Sequence, residues 1–464
     1  MINQISMKRF AGELSGDEFG SVKAELAKAG FHLLLSSANK AYCDALGVDQ
    51  TPLAEPATTI GLSAARQYED GDLIPSDDWS ELVFVGFWSE RVFSEAPQMA
   101  PRSFRRRGKL ARRLDVGSIH NGVHSTLDGV TRVIERTLGQ TDADPRWNTL
   151  SWWSDQIADL LDKGVAKRAT FTPDEVLVAD QLKIPDRRKL ITAIKASGGM
   201  PESEAIRFGC NEAQVTTLQN AGLLAREFVV ICRRNSRMLN RLPSREAIEA
   251  MDRQGARCAT CGSRLTDEKL EQFLIPTDLA KNLVDHSRWM SIVLQERLAD
   301  LGVPLDSVAL EILEGPGEVD ALADIDGRVV LFELKDKDFS IGDAYPVSGR
   351  VAQYHPAYIA IVSTSRIGPE VREYFEKVKP EAPIIYVEGL DSLGPQLEIV
   401  VGDIRGQRAI ELLKRFDTLA IRADISSLLA PKLGLKAPPV EQRGLLGAGT
   451  LYPPVAPLRL GVGK

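Results

Sequence analysis

Cysteine is scarce in this chain, five residues among 464. Spread over that length, the five do not make the disulfide framework of a small secreted domain, so a reduced, cytoplasmic protein is expected. Long apolar runs are lacking as well. The opening Met1-Ile2-Asn3-Gln4-Ile5-Ser6-Met7-Lys8-Arg9 leads into polar sequence without the apolar core of a secretory signal. No stretch approaches the ~18 apolar residues of a membrane span, so no membrane partner is expected. A basic excess is missing too: 57 Lys and Arg stand against 64 Asp and Glu, a net charge of −7. Any contact with nucleic acid must therefore come from local patches. The remaining composition, 44% hydrophobic and 26% charged, is that of a soluble globular protein, and the length suggests about three domains.

What is present centres on one stretch. Gly317-Glu318-Val319-Asp320-Ala321-Leu322-Ala323-Asp324 and Arg328-Val329-Val330-Leu331-Phe332-Glu333-Leu334-Lys335 are apolar, β-prone runs separated by Asp326-Gly327, a strong hairpin signal. Side chains alternate along a strand, so Glu333 and Lys335 share a face. The hairpin thus gathers carboxylates and one ammonium where a packed strand should tolerate neither. Such oxygen donors suit a hard divalent cation like Mg²⁺, and a neighbouring lysine can steady a phosphate or an activated hydroxide. The bland alternative is an exposed edge strand on which Glu333 and Lys335 act as gatekeepers against aggregation.

Asp320 followed by Glu333-Leu334-Lys335 in strand-turn-strand context resembles the PD-(D/E)XK nuclease superfamily, the restriction-endonuclease-like fold. The flanking order extends the resemblance over roughly residues 279–400. A helix covers about 277–302, capped at Thr277 or Asp278. Strands follow at Val308–Leu313, Glu318–Ile325 and Arg328–Lys335. A short helix lies within Tyr345–Tyr354, a buried strand at Ala357–Val362, a helix at Pro369–Val378 and a last strand at Pro383–Val387. The resemblance implies Asp320 as bridging metal ligand, Glu333 as second carboxylate, the Leu334 carbonyl as a further ligand and Lys335 as the group orienting the nucleophile. It also implies Glu296 as an added acid from the first helix, Arg350 and Gln353 as phosphate-backbone contacts, and Mg²⁺ or Mn²⁺ as cofactor.

Upstream, residues 1–165 read as an α+β domain without active-site spacing. Asp17–Ala29 is expected as a helix, Leu82–Trp88 as a buried strand and Trp152–Leu161 as a helix. Arg102, Arg105, Arg106, Arg107, Lys109, Arg112 and Arg113 form an acid-free basic run, either a phosphate-backbone contact or a solvated loop. His120 and His124 lie close together without a third ligand.

Residues 166–250 show a helix at Arg187–Ala196, a short one at Pro201–Phe208, a third capped by Asn211, then a β-rich run from Glu227 to Arg234. This resembles a winged helix-turn-helix, which implies that Arg233, Arg234 and Arg237 flank nucleic acid. Residues 251–278 read as a connector carrying Cys258-Ala259-Thr260-Cys261-Gly262. The further candidate ligands are Cys210, Cys232 and His286, none at knuckle spacing; with Cys210 and Cys232 the pair would make a tetracysteine zinc site, or those two are buried apolar thiols. Residues 424–464, rich in Pro, Gly and Leu, read as a tail without regular structure.

The expected whole is a multidomain α/β protein. A C-terminal restriction-endonuclease-like α/β/α core with a central mixed sheet spans 279–423, and a mainly helical winged-helix domain precedes it. The expected activity is Mg²⁺-dependent DNA endonuclease, in bacterial restriction or anti-phage defence, with Zn²⁺ as a candidate second metal. Double-strand cleavage with one site per chain favours a homodimer. The alternatives are a non-catalytic DNA-binding regulator with an inactive nuclease fold, and an RNA- or structure-specific nuclease.

Overall fold

The computed structural model describes residues 4–47, 68–92, 109–122, 125–139, 147–205, 211–314, 318–419, 424–435 and 458–460. The chain is mixed α/β and separates into two compact units. One comprises residues 1–156, 324–329 and 398–464, the other residues 157–323 and 330–397.

The first unit is built on an antiparallel sheet of β1 (Gln4–Phe10), β2 (Asp70–Pro75), β3 (Glu81–Val92), β4 (Lys109–His120) and β5 (Trp147–Trp152), in the order β5-β1-β4-β3-β2. Leu458–Leu460 pairs outside β5. Period-two alternation on β3 serves both faces of this sheet. Val83, Val85 and Phe87 pack against Phe19, Val22 and Leu26 of helix Gly16–Lys28 and against Leu127, Val130 and Ile134 of helix Ser125–Thr137. Leu82, Phe84 and Trp88 pack instead against Leu412, Leu413, Phe416, Ile425, Leu429 and Leu433. Between β1 and β4 the backbones come so close that a Cβ on Gly117 would lie 2.1 Å from the Ser6 carbonyl oxygen, so only glycine fits.

Several expectations change here. The helix expected over Trp152–Leu161 is a strand ending at Trp152 followed by a helix from Asp155 to Asp162. Arg112 and Arg113 sit on β4, paired with Ser89 and Trp88, rather than in a loop. Arg102, Arg105, Arg106 and Arg107 lie outside the described residues. His120 is a buried structural residue whose Nδ1 accepts from Gly122 N at 3.0 Å; His124 lies outside the described residues. The expected tail starts too early: Ile425–Leu429 is helical, and its apolar residues complete the core of the first unit because the second face of that sheet needs cover.

The second unit contains β6 (Lys167–Arg168), β7 (Met200–Pro201), β8 (Leu224–Ile231), β9 (Met238–Leu242), β10 (Lys269–Pro276), β11 (Val308–Ile312), β14 (Tyr358–Ser363), β15 (Ile384–Glu388) and all but the turn-side ends of β12 (Val319–Ile325) and β13 (Arg328–Lys335). They form two sheets. The smaller, β7-β10-β8-β9, is antiparallel throughout. It accompanies helices Pro173–Leu182, Pro185–Ser197, Glu202–Ala205 and Glu212–Asn220. Asn211 caps the last of these through a capping box with Gln214, as expected. Residues 269–276, expected within a connector, are instead the strand that β8 pairs with along its whole length. A domain boundary at residue 250 would divide this sheet.

The larger sheet runs β15-β14-β13-β12-β11-β6 and is mixed, with β13, β14 and β15 parallel and β11 antiparallel to β12. The single helix expected over 277–302 is two, Asp278–Val284 and Arg288–Asp300, divided by a 3-10 turn ending at Ser287 with φ +56°. Thr277 caps the first. Trp289, Met290, Ile292, Val293, Leu294 and Leu298 of the second are all buried, so this helix is covered nearly all round rather than along one stripe.

Candidate active site

The turn between β12 and β13 consists of Asp326 at φ +48° and Gly327 at φ +77°. Two successive left-handed residues make the tight turn whose twist matches antiparallel strands, as the Asp-Gly pair implied. A hairpin of this length brings the start of β12 beside the end of β13. Asp320 therefore meets Glu333, Leu334 and Lys335. Phe332 and Leu334 are buried on the opposite side of β13. β13 lies between β12 and β14, so the edge-strand alternative does not hold.

Within that corner the polar groups are tightly partnered. Asp320 Oδ2 accepts from the Leu334 N–H at 2.6 Å and from Lys335 Nζ at 3.2 Å. Lys335 Nζ also lies 2.8 Å from Glu333 Oε1. The other oxygen, Glu333 Oε2, accepts from Arg350 Nη1, brought in by helix Ile341–Tyr354. A capping box between Ser340 and Asp343 fixes the start of that helix. Glu333 is only 3% exposed along its side chain, whereas Asp320 is 19% and Lys335 23% exposed. The cluster is thus closed on the Glu333 side and open on the Asp320 side.

The electrostatics follow from this arrangement. Burial, with the Asp320 charge adding to it, pushes Glu333 up to about 7 against the pull of Lys335 and Arg350. Burial also works against the Lys335 ammonium, but Asp320 and Glu333 outweigh it and hold Lys335 above its ordinary value. A buried acid raised toward neutral pH beside other charged groups is a common mark of a functional site.

The remaining expected residues fall elsewhere. Glu296 pairs with Lys183 at 3.4 Å and does not join the cluster. The Leu334 N–H donates to Asp320 Oδ2 at 2.6 Å, whereas the atom expected as a metal ligand is its carbonyl oxygen. Arg350, expected at a phosphate backbone, is spent on Glu333. Gln353 donates to the Glu314 carbonyl at 3.3 Å. Arg233, Arg234 and Arg237 are exposed at the turn between β8 and β9. Arg105, Arg106 and Arg107 and Cys210 lie outside the described residues. Arg188 is an addition the sequence did not suggest: its Nε lies 3.0 Å from Asp336 Oδ1, directly after Lys335, and its guanidinium stacks over Trp289. A cavity of about 260 Å³ between β6, β11 and helix Arg288–Asp300 touches none of the three signature residues.

Cys258 and Cys261 are joined by Cys232 and by Glu268. The acid escaped notice because no metal-ligand spacing places a glutamate seven residues beyond the second cysteine.

Among the described residues no helix is long and apolar enough to cross a membrane. No family model matches the chain, and no curated protein does. Among solved structures, the crystal structure of protein VC1899 from Vibrio cholerae is similar over 53% of this chain at 12% identity, with a TM-score of 0.31. The chain spans 60% of that protein's length.

Proposed function

We propose that the corner formed by β12, β13 and helix Ile341–Tyr354 is the catalytic centre of a metal-dependent DNA endonuclease of the PD-(D/E)XK type, acting in bacterial restriction or anti-phage defence. One observation carries the reading: Asp320, Glu333 and Lys335 converge within hydrogen-bond distance on interior strands of a mixed sheet. Charges are costly to bury in a sheet interior, which makes such a cluster a candidate for chemistry.

The donor set fits a hard divalent cation. Both hydrogen bonds to Asp320 fall on Oδ2, and no described donor engages Oδ1. Asp320 and Glu333 would hold Mg²⁺ or Mn²⁺, which supplies a water of lowered pKa and neutralises charge on the phosphoryl group. Lys335 stays protonated between both acids and presents a cation to the nucleophile and the scissile phosphate. Arg350 keeps Glu333 in place, so its task is positioning. The exposed turn at Arg233, Arg234 and Arg237 supports a winged-helix reading in which this basic tip meets the phosphate backbone.

The test is nicking of supercoiled plasmid by the full chain with Mg²⁺ or Mn²⁺, with EDTA as control. Asp320→Ala and Lys335→Ala should each lower the rate about 100-fold or more. Equal cleavage by wild type and both variants would place the chemistry elsewhere. Binding without cleavage under either metal would favour a DNA-binding regulator. Parallel assays on single-stranded DNA and RNA identify the preferred substrate.

A further inference from the structure

Cys232, Cys258, Cys261 and Glu268 come from three separate turns, yet their four donor atoms all lie within 4.8 Å of one another. We propose that they form a structural zinc site that fastens the turn between β8 and β9 to the knuckle before β10.

The four donors are gathered closely enough to surround one ion. Cys232 Sγ and Cys261 Sγ are 3.9 Å apart. A tetrahedral zinc with bonds of about 2.3 Å to sulfur sets its thiolates about 3.8 Å apart. Glu268 Oε1 lies 2.9 Å from Cys261 Sγ, and Oε2 accepts from the Arg233 N–H at 2.7 Å. That second bond orients the carboxylate, as outer hydrogen bonds do for metal ligands. The backbone is shaped to match. Gly262, at φ +74°, donates to the Cys258 carbonyl at 2.8 Å and closes the knuckle. Ser236 N donates to the Cys232 carbonyl at 2.8 Å and closes the opposing turn.

Burial supplies an independent reason. Glu268 is 4% exposed, Cys258 3% and Cys232 fully covered. The direct partners of Glu268 are the Cys261 thiol and the Arg233 N–H, and the Arg233 side chain adds only a longer-range charge. A covered carboxylate in that company favours a cation beside it. Three thiols beside it select a soft-tolerant metal over Mg²⁺ or Ca²⁺, and four protein donors leave no open position for catalysis. On binding, each thiol releases its proton to solvent and the thiolate takes its place on the metal.

The surroundings leave such a fastening room to act. The core beneath this part of the small sheet contains, among the described residues, Val230, Ile248 and Leu265 as its buried hydrophobics, with others only partly covered. A metal tie adds stability to a local cluster that small. Cys232, Cys258 and Cys261 are free thiols.

The full chain, produced in zinc-supplemented medium and purified in reducing buffer without chelator, should contain about one zinc per chain by elemental mass spectrometry. Cys258→Ser and Glu268→Gln should each lose most of it. Cys43→Ser, a buried thiol of the first unit, and Asp320→Ala should keep it. If the variants fail to fold, cobalt added to chelator-stripped wild type should show thiolate-to-cobalt charge-transfer absorption. Wild type without zinc, zinc retained in both ligand variants, a Cys232–Cys261 disulfide found by peptide mapping, or cobalt binding without thiolate bands would each overturn the proposal. None of these readouts depends on nuclease activity.

Discussion

The guanidinium of Arg350 reaches Glu333 from the helix that follows its strand, and the two form an ion pair in which Glu333 is almost wholly buried. Removing Arg350 takes away one of the two cations that hold Glu333, leaving Lys335 at 2.8 Å as the other. Arg350→Ala should therefore destabilise the second unit by about 1.5–3 kcal/mol, the loss of a charged hydrogen bond. The double variant Arg350→Ala with Glu333→Gln should lose less than the two single changes added together. Urea denaturation of the four proteins measures this coupling. Additive losses would mean that the two side chains do not share a stabilising contact.

Glu333 also sets a pH dependence. Its folded value near 7 stands above the ordinary 4.5, so the folded state holds a proton that the unfolded chain releases. The stability this contributes is fully present below about 4.5 and is lost as pH rises through about 7. Metal binding runs the other way, because it needs the ionised carboxylate. Cleavage should climb about tenfold per pH unit below neutrality and level off above it. Asp320→Asn removes the neighbouring charge and should lower the Glu333 titration, read from the pH dependence of Tm in this inactive variant. A rate independent of pH across that range would exclude Glu333 ionisation as the controlling step.

Gly327 is irreplaceable on two counts. Its φ of +77° disfavours any side chain, and a Cβ would stand 2.9 Å from Arg408 Nη2 and 3.1 Å from Trp152 Cβ. Gly327→Ala should cost about 1–2 kcal/mol from backbone strain alone, before Arg408 gives way. Arg408 is 1% exposed and donates to the Asp326 carbonyl at 2.8 Å, so its freedom to move is small. Thermal unfolding compares the variant with wild type. An unchanged Tm would show that the turn relaxes without penalty.

Arg233, Arg234 and Arg237 present three exposed cations at one turn. If they track a phosphate backbone, the triple alanine variant should bind DNA more weakly. The slope of log K against log salt should fall by about 2–3. Binding titrations at several salt concentrations give the slope, and an unaltered slope would remove this turn from the interface.

The sequence showed the hairpin clearly because Asp326-Gly327 and the alternation on β13 are local signals. It showed Asp320, Glu333 and Lys335 as neighbours for the same reason. It hid Arg350's partner, since an ion pair across a strand and a later helix leaves no spacing to read. Glu268 was hidden likewise. Helix Leu393–Lys414 went unseen because Arg405 and Arg408, buried at 5% and 1% exposure, interrupt its apolar pattern at the positions that face inward. Those arginines bind Asp326 and Glu411, contacts that only the folded chain creates. The chain's interleaving was equally invisible: nothing local reveals that residues 409–435 belong beside β3.

That interleaving has a consequence for how the protein is born. Leu82, Phe84 and Trp88 leave the ribosome well before Leu412, Phe416 and Leu429, which shelter them. One face of the first sheet must wait bare while the intervening chain is made, when exposed apolar strands invite association with other chains. Truncation ahead of Leu412 would thus harm the portion made first.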